Sequence, residues 1–147
     1  MKTTRNRVPA NTSAQVNERI QRDIVQSVAF YSENRERIPR RLKELDEEWD
    51  IERAIEANAA AVLLTGFVAG MTSSRKWFAL PALAAAFLMQ HAVQGWCPPV
   101  PVLRRLGFRT SHEIEQERQA LKALRGDYAK VEGAKNPALT ALKAAGA

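Results

Sequence analysis

The chain has 147 residues, 22 of them Lys or Arg and 16 Asp or Glu, so its formal net charge is +6. This length allows one domain with a modest core, and the single cysteine excludes a disulfide scaffold. The mean hydropathy of −0.33 is that of a soluble protein. However, residues 57–74 and 77–103 contain no charged residue, whereas an even spread of the 26% charged residues would place about 12 there. The chain is therefore polar at both ends and apolar in the middle.

The polar N-terminal part predicts an arm followed by helices. Residues 1–12 have no apolar periodicity, which indicates a flexible arm. Over residues 13–49, apolar residues recur at spacings of three and four, as in amphipathic helices, and Pro39 marks a break or a new helix start. Because no Gly or Pro lies between Arg40 and Thr65, we expect the second of these helices to continue unbroken into the apolar middle.

The apolar middle divides into two segments, residues 55–74 and 77–96. Each has about 20 residues, enough for a helix of about 30 Å, the hydrocarbon thickness of a bilayer. The three tryptophans lie at segment edges, as in the aromatic belts of membrane proteins: Trp49, Trp77 and Trp96. The alternative, a soluble helical hairpin, should carry a charged outer face, and neither segment has one. We predict an all-α fold, a two-helix transmembrane hairpin with flanking cytoplasmic amphipathic helices.

The charges around the two segments predict their orientation. The connecting turn carries only Arg75 and Lys76, whereas more cations flank the outer ends: Arg40, Arg41, Lys43, Arg53, Arg104, Arg105 and Arg109. The positive-inside rule therefore places both termini in the cytoplasm. The first segment lies behind a long charged stretch, unlike a secretory signal peptide. The basic excess follows residue 97, close to the membrane, so anionic lipid headgroups explain it better than nucleic acid.

The segment after the second span predicts an extended exit, a helix and a tail. Three prolines end the span and favour an extended course along the membrane interface: Pro98, Pro99 and Pro101. Thr110 and Glu113 form a capping-box pattern that opens a helix over residues 111–125, and Gly126 closes it, so we assign a cytoplasmic helix to residues 110–126. Residues 127–147 are of low complexity, which predicts a mobile tail.

Four polar residues interrupt the apolar segments: Asn58, Gln90, His91 and Gln94. If Ser74 and Arg75 form the tip of the hairpin, Asn58 lies level with His91, and the four form an intramembrane polar band. One interpretation is a proton or metal site built on His91. The other is interhelical hydrogen bonding that fixes the register of the hairpin. A lone histidine has too few partner ligands for a metal site, so we predict neither metal nor cofactor.

The first span contains Gly66-x-x-x-Gly70, a close-packing motif of membrane helices. Ala82, Ala85 and Ala86 offer a small-residue face on the second span. This pattern fits packing within the hairpin or between two copies of the chain, and we expect a homo-oligomer.

Cys97 is the candidate reactive thiol. It follows Trp96 at the cytoplasmic mouth of the hairpin, where downstream arginines favour the thiolate and the helix C-terminus disfavours it. One interpretation is an accessible thiol that accepts a persulfide, forms a disulfide or ligates a haem, and the other is a small residue filling an interface. We find no phosphate loop, zinc spacing or nucleophile elbow, hence no catalytic residues.

Two motifs carry a resemblance to a known family: Asp50-Ile51-Glu52-Arg53 opens the first span, and Gly95-Trp96-Cys97-Pro98 closes the second. The chain resembles the inner membrane protein YgaP-like transmembrane domain family, a bacterial two-helix module, over residues 50–107. The family's closing motif is Gly-x-Cys-Pro-x-Tyr, and here Val100 replaces the tyrosine.

The resemblance implies a location in the bacterial inner membrane and little about activity. Some family members carry a rhodanese sulfurtransferase domain ahead of the hairpin, but the segment here is too short for one and contains no cysteine. We therefore expect a non-enzymatic membrane scaffold that binds itself or a cytoplasmic protein partner. The alternative is a persulfide relay through Cys97, working with a separate sulfurtransferase.

Overall fold

The computed structural model of the chain describes residues 6–129, 131, 133–134 and 136–146. These residues form seven α-helices and no strand, so the fold is all-α as predicted. The helices are α1 (Ala14–Glu33), α2 (Ile38–Glu47), α3 (Ile51–Thr72), α4 (Ala79–Gln94), α5 (Pro99–Arg105), α6 (Ser111–Arg125) and α7 (Pro137–Gly146). The described residues fall into two compact units. The hairpin unit comprises residues 6–20 and 49–111, and the flanking unit comprises residues 21–48 and the described residues from His112 onward.

Helices α3 and α4 pack against each other as an antiparallel pair. A 3-10 turn over Arg75–Phe78 joins them, at the position where the sequence predicts the tip. Gly66 lies against Pro81, and Gly70 lies against the ring of Phe78. These pairs are within two residues of the predicted register. The glycines let the two helices approach closely, since any side chain there would separate them.

Helix α3 starts separately from α2, contrary to the predicted continuous helix. Asp50 has an extended backbone, with ψ of 167°, and its side chain accepts a hydrogen bond from the N–H of Arg53 at 2.7 Å. An aspartate in this position satisfies one of the unpaired N–H groups of a first helical turn. The N–H of Ile51 also donates to the carbonyl of Arg109 at 2.8 Å. Helix capping therefore breaks the chain here without Gly or Pro.

The base of the hairpin is formed by the end of α4 and by α5. Gly95 ends α4 in the left-handed conformation, with φ of 72°. Pro99 then starts α5, whose axis is bent by 66° from the preceding helical stretch Arg75–Gln94. The sequence predicts an extended exit here. The chain forms a helix instead, because proline also fits the first turn of a helix, where its missing N–H is not needed.

The flanking unit is built around an apolar core contributed by α2 and α6. Its buried members are Ile38, Leu42, Leu45, Ile114 and Leu121. Helix α6 covers the residues that the capping-box pattern predicts, and Gly126 follows it with φ of 86°.

The segment predicted as a mobile tail contains helix α7. The side chain of Asn136 accepts a hydrogen bond from the N–H of Leu139 at 3.1 Å, so an Asn-Pro pair starts this helix. The buried Lys122 ammonium donates to the carbonyl of Ala145 at 2.8 Å, near the C-terminal end of α7, where a cation is favoured. Residues 130, 132, 135 and 147 of the predicted tail lie outside the described residues.

By length and composition, one helical stretch of the described chain could cross a membrane. It ends at Thr72 and includes an 18-residue window with mean hydropathy 1.5, of which 22% is buried. A second candidate exists only if the bent pair Arg75–Gln94 and Pro99–Arg105 counts as a single span. The described chain is therefore all-α with one apolar helix of membrane-spanning length, and the second span remains a proposal.

Candidate functional site

Cys97 lies between α4 and α5 in the core of the hairpin unit. Its side chain is 2% exposed and belongs to an apolar cluster with Val8, Ile55 and Val100, among others. Burial raises the pKa of the thiol, and a hydrogen bond with the backbone of Val100 offsets this only in part. Of the two interpretations of Cys97, the buried side chain fits a small residue filling an interface and not an accessible thiol, and the raised pKa favours the protonated form. A protonated thiol is a poor nucleophile, because the thiolate is the reactive form.

Residues 7–11, here called the N-terminal strap, pack over the base of the hairpin. The guanidinium of Arg7 donates to the carbonyl of Ala92 at 2.9 Å, and the amide of Asn11 donates to the carbonyl of Gln94 at 2.8 Å. Both acceptors belong to the last turn of α4, whose carbonyls have no partner within the helix. Val8, 1% exposed, fills the core beside them.

This arrangement differs from the flexible arm that the sequence predicts over residues 1–12. Residues 1–5 lie outside the described part of the chain. The strap caps α4 through contacts between residues about 85 positions apart. Such contacts produce no periodic sequence pattern within residues 7–11, so sequence analysis could not detect them. Only the pair of polar donors Arg7 and Asn11 around Val8 could have hinted at them.

The strap predicts a measurable shielding of Cys97. Arg7→Ala combined with Val8→Ala removes one cap of α4 and part of the apolar cover of Cys97. We expect the double variant to lower the free energy of local opening by about 1.4 kcal/mol, so that the site opens about tenfold more often. Maleimide should then modify Cys97 about tenfold faster. In the intact protein the rate should keep rising above pH 9, because burial raises the pKa of the thiol. Mass spectrometry of timed samples measures both.

Asn6→Ala is the matched control, since Asn6 is exposed next to the strap. It should leave the modification rate of Cys97 unchanged. A strap variant that reacts no faster than this control would show that other groups shield the thiol.

Among the described residues, no hydrogen bond joins two members of the polar band. The amide of Asn58 donates to the carbonyl of Ala54 in its own helix at 2.8 Å. His91 is 5% exposed, and neither of its ring nitrogens has a hydrogen-bond partner among the described residues. Gln90 is half-buried and Gln94 is exposed. Asn58 and His91 therefore do not form an interhelical hydrogen bond, since one N–H of the amide donates within α3 and neither ring nitrogen of His91 has a partner.

Metal ligands do not gather around these residues. Over residues 6–129 and the described parts of the tail, no group of three or more His, Cys, Asp or Glu side chains could hold a metal ion. A groove of about 290 Å³ runs between α3 and α4 to the turn at Cys97. Its lining is apolar apart from the amide of Asn58 and the thiol of Cys97. Such a groove suits an apolar group rather than a charged substrate.

Gly66 and Gly70 are buried within the hairpin. A Cβ on Gly66 would lie 2.5 Å from Cδ of Pro81, and one on Gly70 would lie 2.8 Å from the ring of Phe78. The close-packing motif thus serves contact between α3 and α4. The same face is not free to pack against a second copy of the chain.

The outer face of the hairpin is apolar. Eight large apolar side chains of α3 and α4 are exposed by 37 to 75%: Val62, Leu64, Phe67, Val68, Met71, Leu83, Met89 and Val93. The tryptophans lie at its two ends. Trp77 is exposed at the tip, Trp49 is exposed at the base, and Trp96 is half-buried at the base. The guanidinium of Arg53 lies 4.4 Å from the ring centroid of Trp49.

Comparison with known proteins adds no identification: no family model matches the chain, nor does any curated protein or solved structure.

Proposed function

We propose that this chain is a small integral membrane protein whose hairpin crosses the bilayer twice. Its flanking helices serve in the cytoplasm as a non-enzymatic scaffold that binds a partner. The observation that carries the proposal is the apolar outer face of α3 and α4. A soluble helical hairpin buries an apolar stripe and exposes a polar one, whereas here the outward residues are the large apolar ones.

The energetic cost of that face in water is large. Burying one such side chain gains about 1.5–3 kcal/mol, so covering eight that are about half exposed gains on the order of 10 kcal/mol. This equals the whole stability of a typical domain. A lipid bilayer covers all of these residues at once, since they lie on both helices.

Length and aromatic placement support the same proposal. Helix α3 has 22 residues, and the 3-10 turn with α4 covers 20 residues, so each reaches about 30 Å or slightly more. Trp49 and Trp77 lie at opposite ends of α3 and α4, as interfacial residues do. Flanking cations outnumber those of the turn, which favours cytoplasmic termini. The resemblance to YgaP-like hairpins favours a bacterial inner membrane.

Self-association belongs to this proposal, but the glycine motif is already used within the hairpin. A homo-oligomer would use the outer face, where Ala82, Ala85 and Ala86 are exposed. Light scattering of the purified protein in mild detergent should give a protein mass of two or more chains. A single chain at every concentration would contradict self-association. The buried thiol gives no support to a persulfide relay, because that reaction needs an accessible thiolate.

Topology tests the membrane proposal directly. In a Cys97→Ala background, Ser73→Cys reports on the turn and Gln116→Cys reports on α6, since both positions are exposed. Membranes should retain both variants after alkaline carbonate washing. An impermeant maleimide should label Ser73→Cys from outside the cell membrane and Gln116→Cys only in inverted vesicles.

Two outcomes would contradict the proposal in different ways. Release by carbonate would mean that the apolar face is covered by protein and not by lipid. Retention with both cysteines labelled from the same side would mean that the hairpin enters the membrane without crossing it.

A further inference from the structure

The tip of the hairpin, Ser73–Phe78, presents two cations beside exposed aromatic rings. All six residues are exposed. The turn satisfies its own backbone, since the N–H of Ser73 donates to Ala69 at 2.9 Å and the N–H of Trp77 donates to Ser74 at 3.0 Å. The ring of Phe78 contacts the ring of Phe67 edge-on, with ring centroids 5.7 Å apart. The side chains that remain to meet a partner are those of Arg75, Lys76 and Trp77.

The positive charge of the tip is uncompensated within the described residues of the hairpin unit. No Asp or Glu occurs between Glu56 and Glu113 in the sequence. Glu56 precedes Arg75 by 19 positions, which along a helix is about 28 Å. This exceeds the screening length of about 8 Å at physiological ionic strength. Among the described residues, neither Arg75 nor Lys76 makes an ion pair.

We propose that the hairpin tip is a docking surface for anionic phospholipids, with the phosphates on Arg75 and Lys76 and the indole of Trp77 at the headgroup level. The inference rests on the membrane hairpin proposed above and identifies what its tip contacts. Long cationic side chains at a helix end extend into the headgroup region while their stems stay in the apolar layer. Tryptophan prefers the same depth. Two adjacent cations without an acid then favour a lipid of net negative charge over a zwitterionic one.

The same proposal accounts for a charge pattern that otherwise opposes the orientation. Two cations in a short turn resist transfer across the membrane under the positive-inside rule. Anionic headgroups in the far leaflet would offset their charge once they have crossed. The tip would thereby hold the hairpin at a fixed depth.

Tryptophan quenching by brominated lipids tests this surface. Trp49→Phe with Trp96→Phe leaves Trp77 as the only tryptophan, which is excited selectively over the two tyrosines. The full chain is reconstituted into phosphatidylcholine vesicles containing phosphatidylglycerol. Brominated phosphatidylglycerol should quench Trp77 at a lower mole fraction than brominated phosphatidylcholine. Arg75→Gln and Lys76→Gln should each lower this preference about fivefold at low salt, and added salt should lower it in the parent protein.

Arg53→Gln is the matched control, because it removes one exposed cation at the opposite end of α3. It should leave the preference at Trp77 unchanged. Equal quenching by both lipids in the parent protein, or an equal loss of preference in Arg53→Gln, would overturn the tip as a docking surface. The absence of quenching by either lipid would instead contradict the membrane hairpin itself. Quenching by phosphatidylcholine in the Gln variants verifies that they still insert.

Discussion

Glu117→Ala is expected to lower the free energy of unfolding of the flanking unit by about 3 kcal/mol, the lower end of the cost of breaking a buried ion pair. The side chain of Glu117 is fully buried in α6. Its carboxylate accepts from Arg41 of α2 at 2.9 and 3.2 Å and from the hydroxyl of Ser27 of α1 at 2.6 Å. One carboxylate thus joins three helices.

The expected cost lies at the lower end because Arg41 is partly exposed. Its side chain retains 23% of its accessible surface, so water can solvate the guanidinium after Glu117 is removed. Glu117→Gln should cost less than Glu117→Ala, since the amide still accepts hydrogen bonds but has lost the charge that makes them strong.

Hydrogen exchange of the reconstituted full chain, followed by mass spectrometry, measures this effect. A loss of about 3 kcal/mol corresponds to roughly 150-fold faster exchange of amides in α2 and α6 that open with the unit. Glu47→Ala is the control: Glu47 is 71% exposed and pairs with Lys43 at 4.0 Å, so it should change stability by less than about 0.5 kcal/mol. Equal exchange in the two variants would show that the buried carboxylate contributes no more than a surface one.

Gly66→Ala is expected to destabilise the hairpin by about 2 kcal/mol, in the range of overpacking costs. The added Cβ would lie 2.5 Å from Cδ and 3.3 Å from the backbone nitrogen of Pro81. Neither atom can move without moving α4, because both belong to the rigid proline ring. A loss of stability would itself indicate close packing at Gly66, since Gly→Ala in an open helix position stabilises by up to about 1 kcal/mol.

Two other glycines provide a graded comparison. Gly70→Ala should cost less than Gly66→Ala, because the nearest atoms belong to the ring of Phe78 and a side chain can turn aside. At Gly146, near the end of α7, nothing lies within 4 Å of an added Cβ, so Gly146→Ala should be neutral or slightly stabilising. Helix content during titration with SDS in mixed micelles gives the three values.

A different result would place the glycine motif at an interface between two copies of the chain. If Gly66→Ala leaves the SDS titration unchanged but converts an oligomer into single chains, the motif packs copies together. Light scattering on the same samples distinguishes the two outcomes.

Several features follow from neighbouring residues alone. The charge-free stretches, the turn near Ser74 and the bounds of α6 are each set by composition or by a local pattern, and the structure has them where the sequence predicts. The break before α3 could also have been predicted, because Asp50 is a favourable capping residue. A continuous helix was predicted instead because no Gly or Pro lies between Arg40 and Thr65.

The sequence by itself determined an all-α chain with an apolar middle, because helix periodicity and charge distribution are properties of adjacent residues. Only the tertiary structure decided that the N-terminal strap caps α4 and covers Cys97, that Gly66 serves the hairpin, and that Glu117 is a buried partner of Arg41. Arg7 and Ala92 are 85 positions apart and Arg41 and Glu117 are 76 apart. Contacts at such separations depend on how the helices pack, and no local pattern encodes that packing.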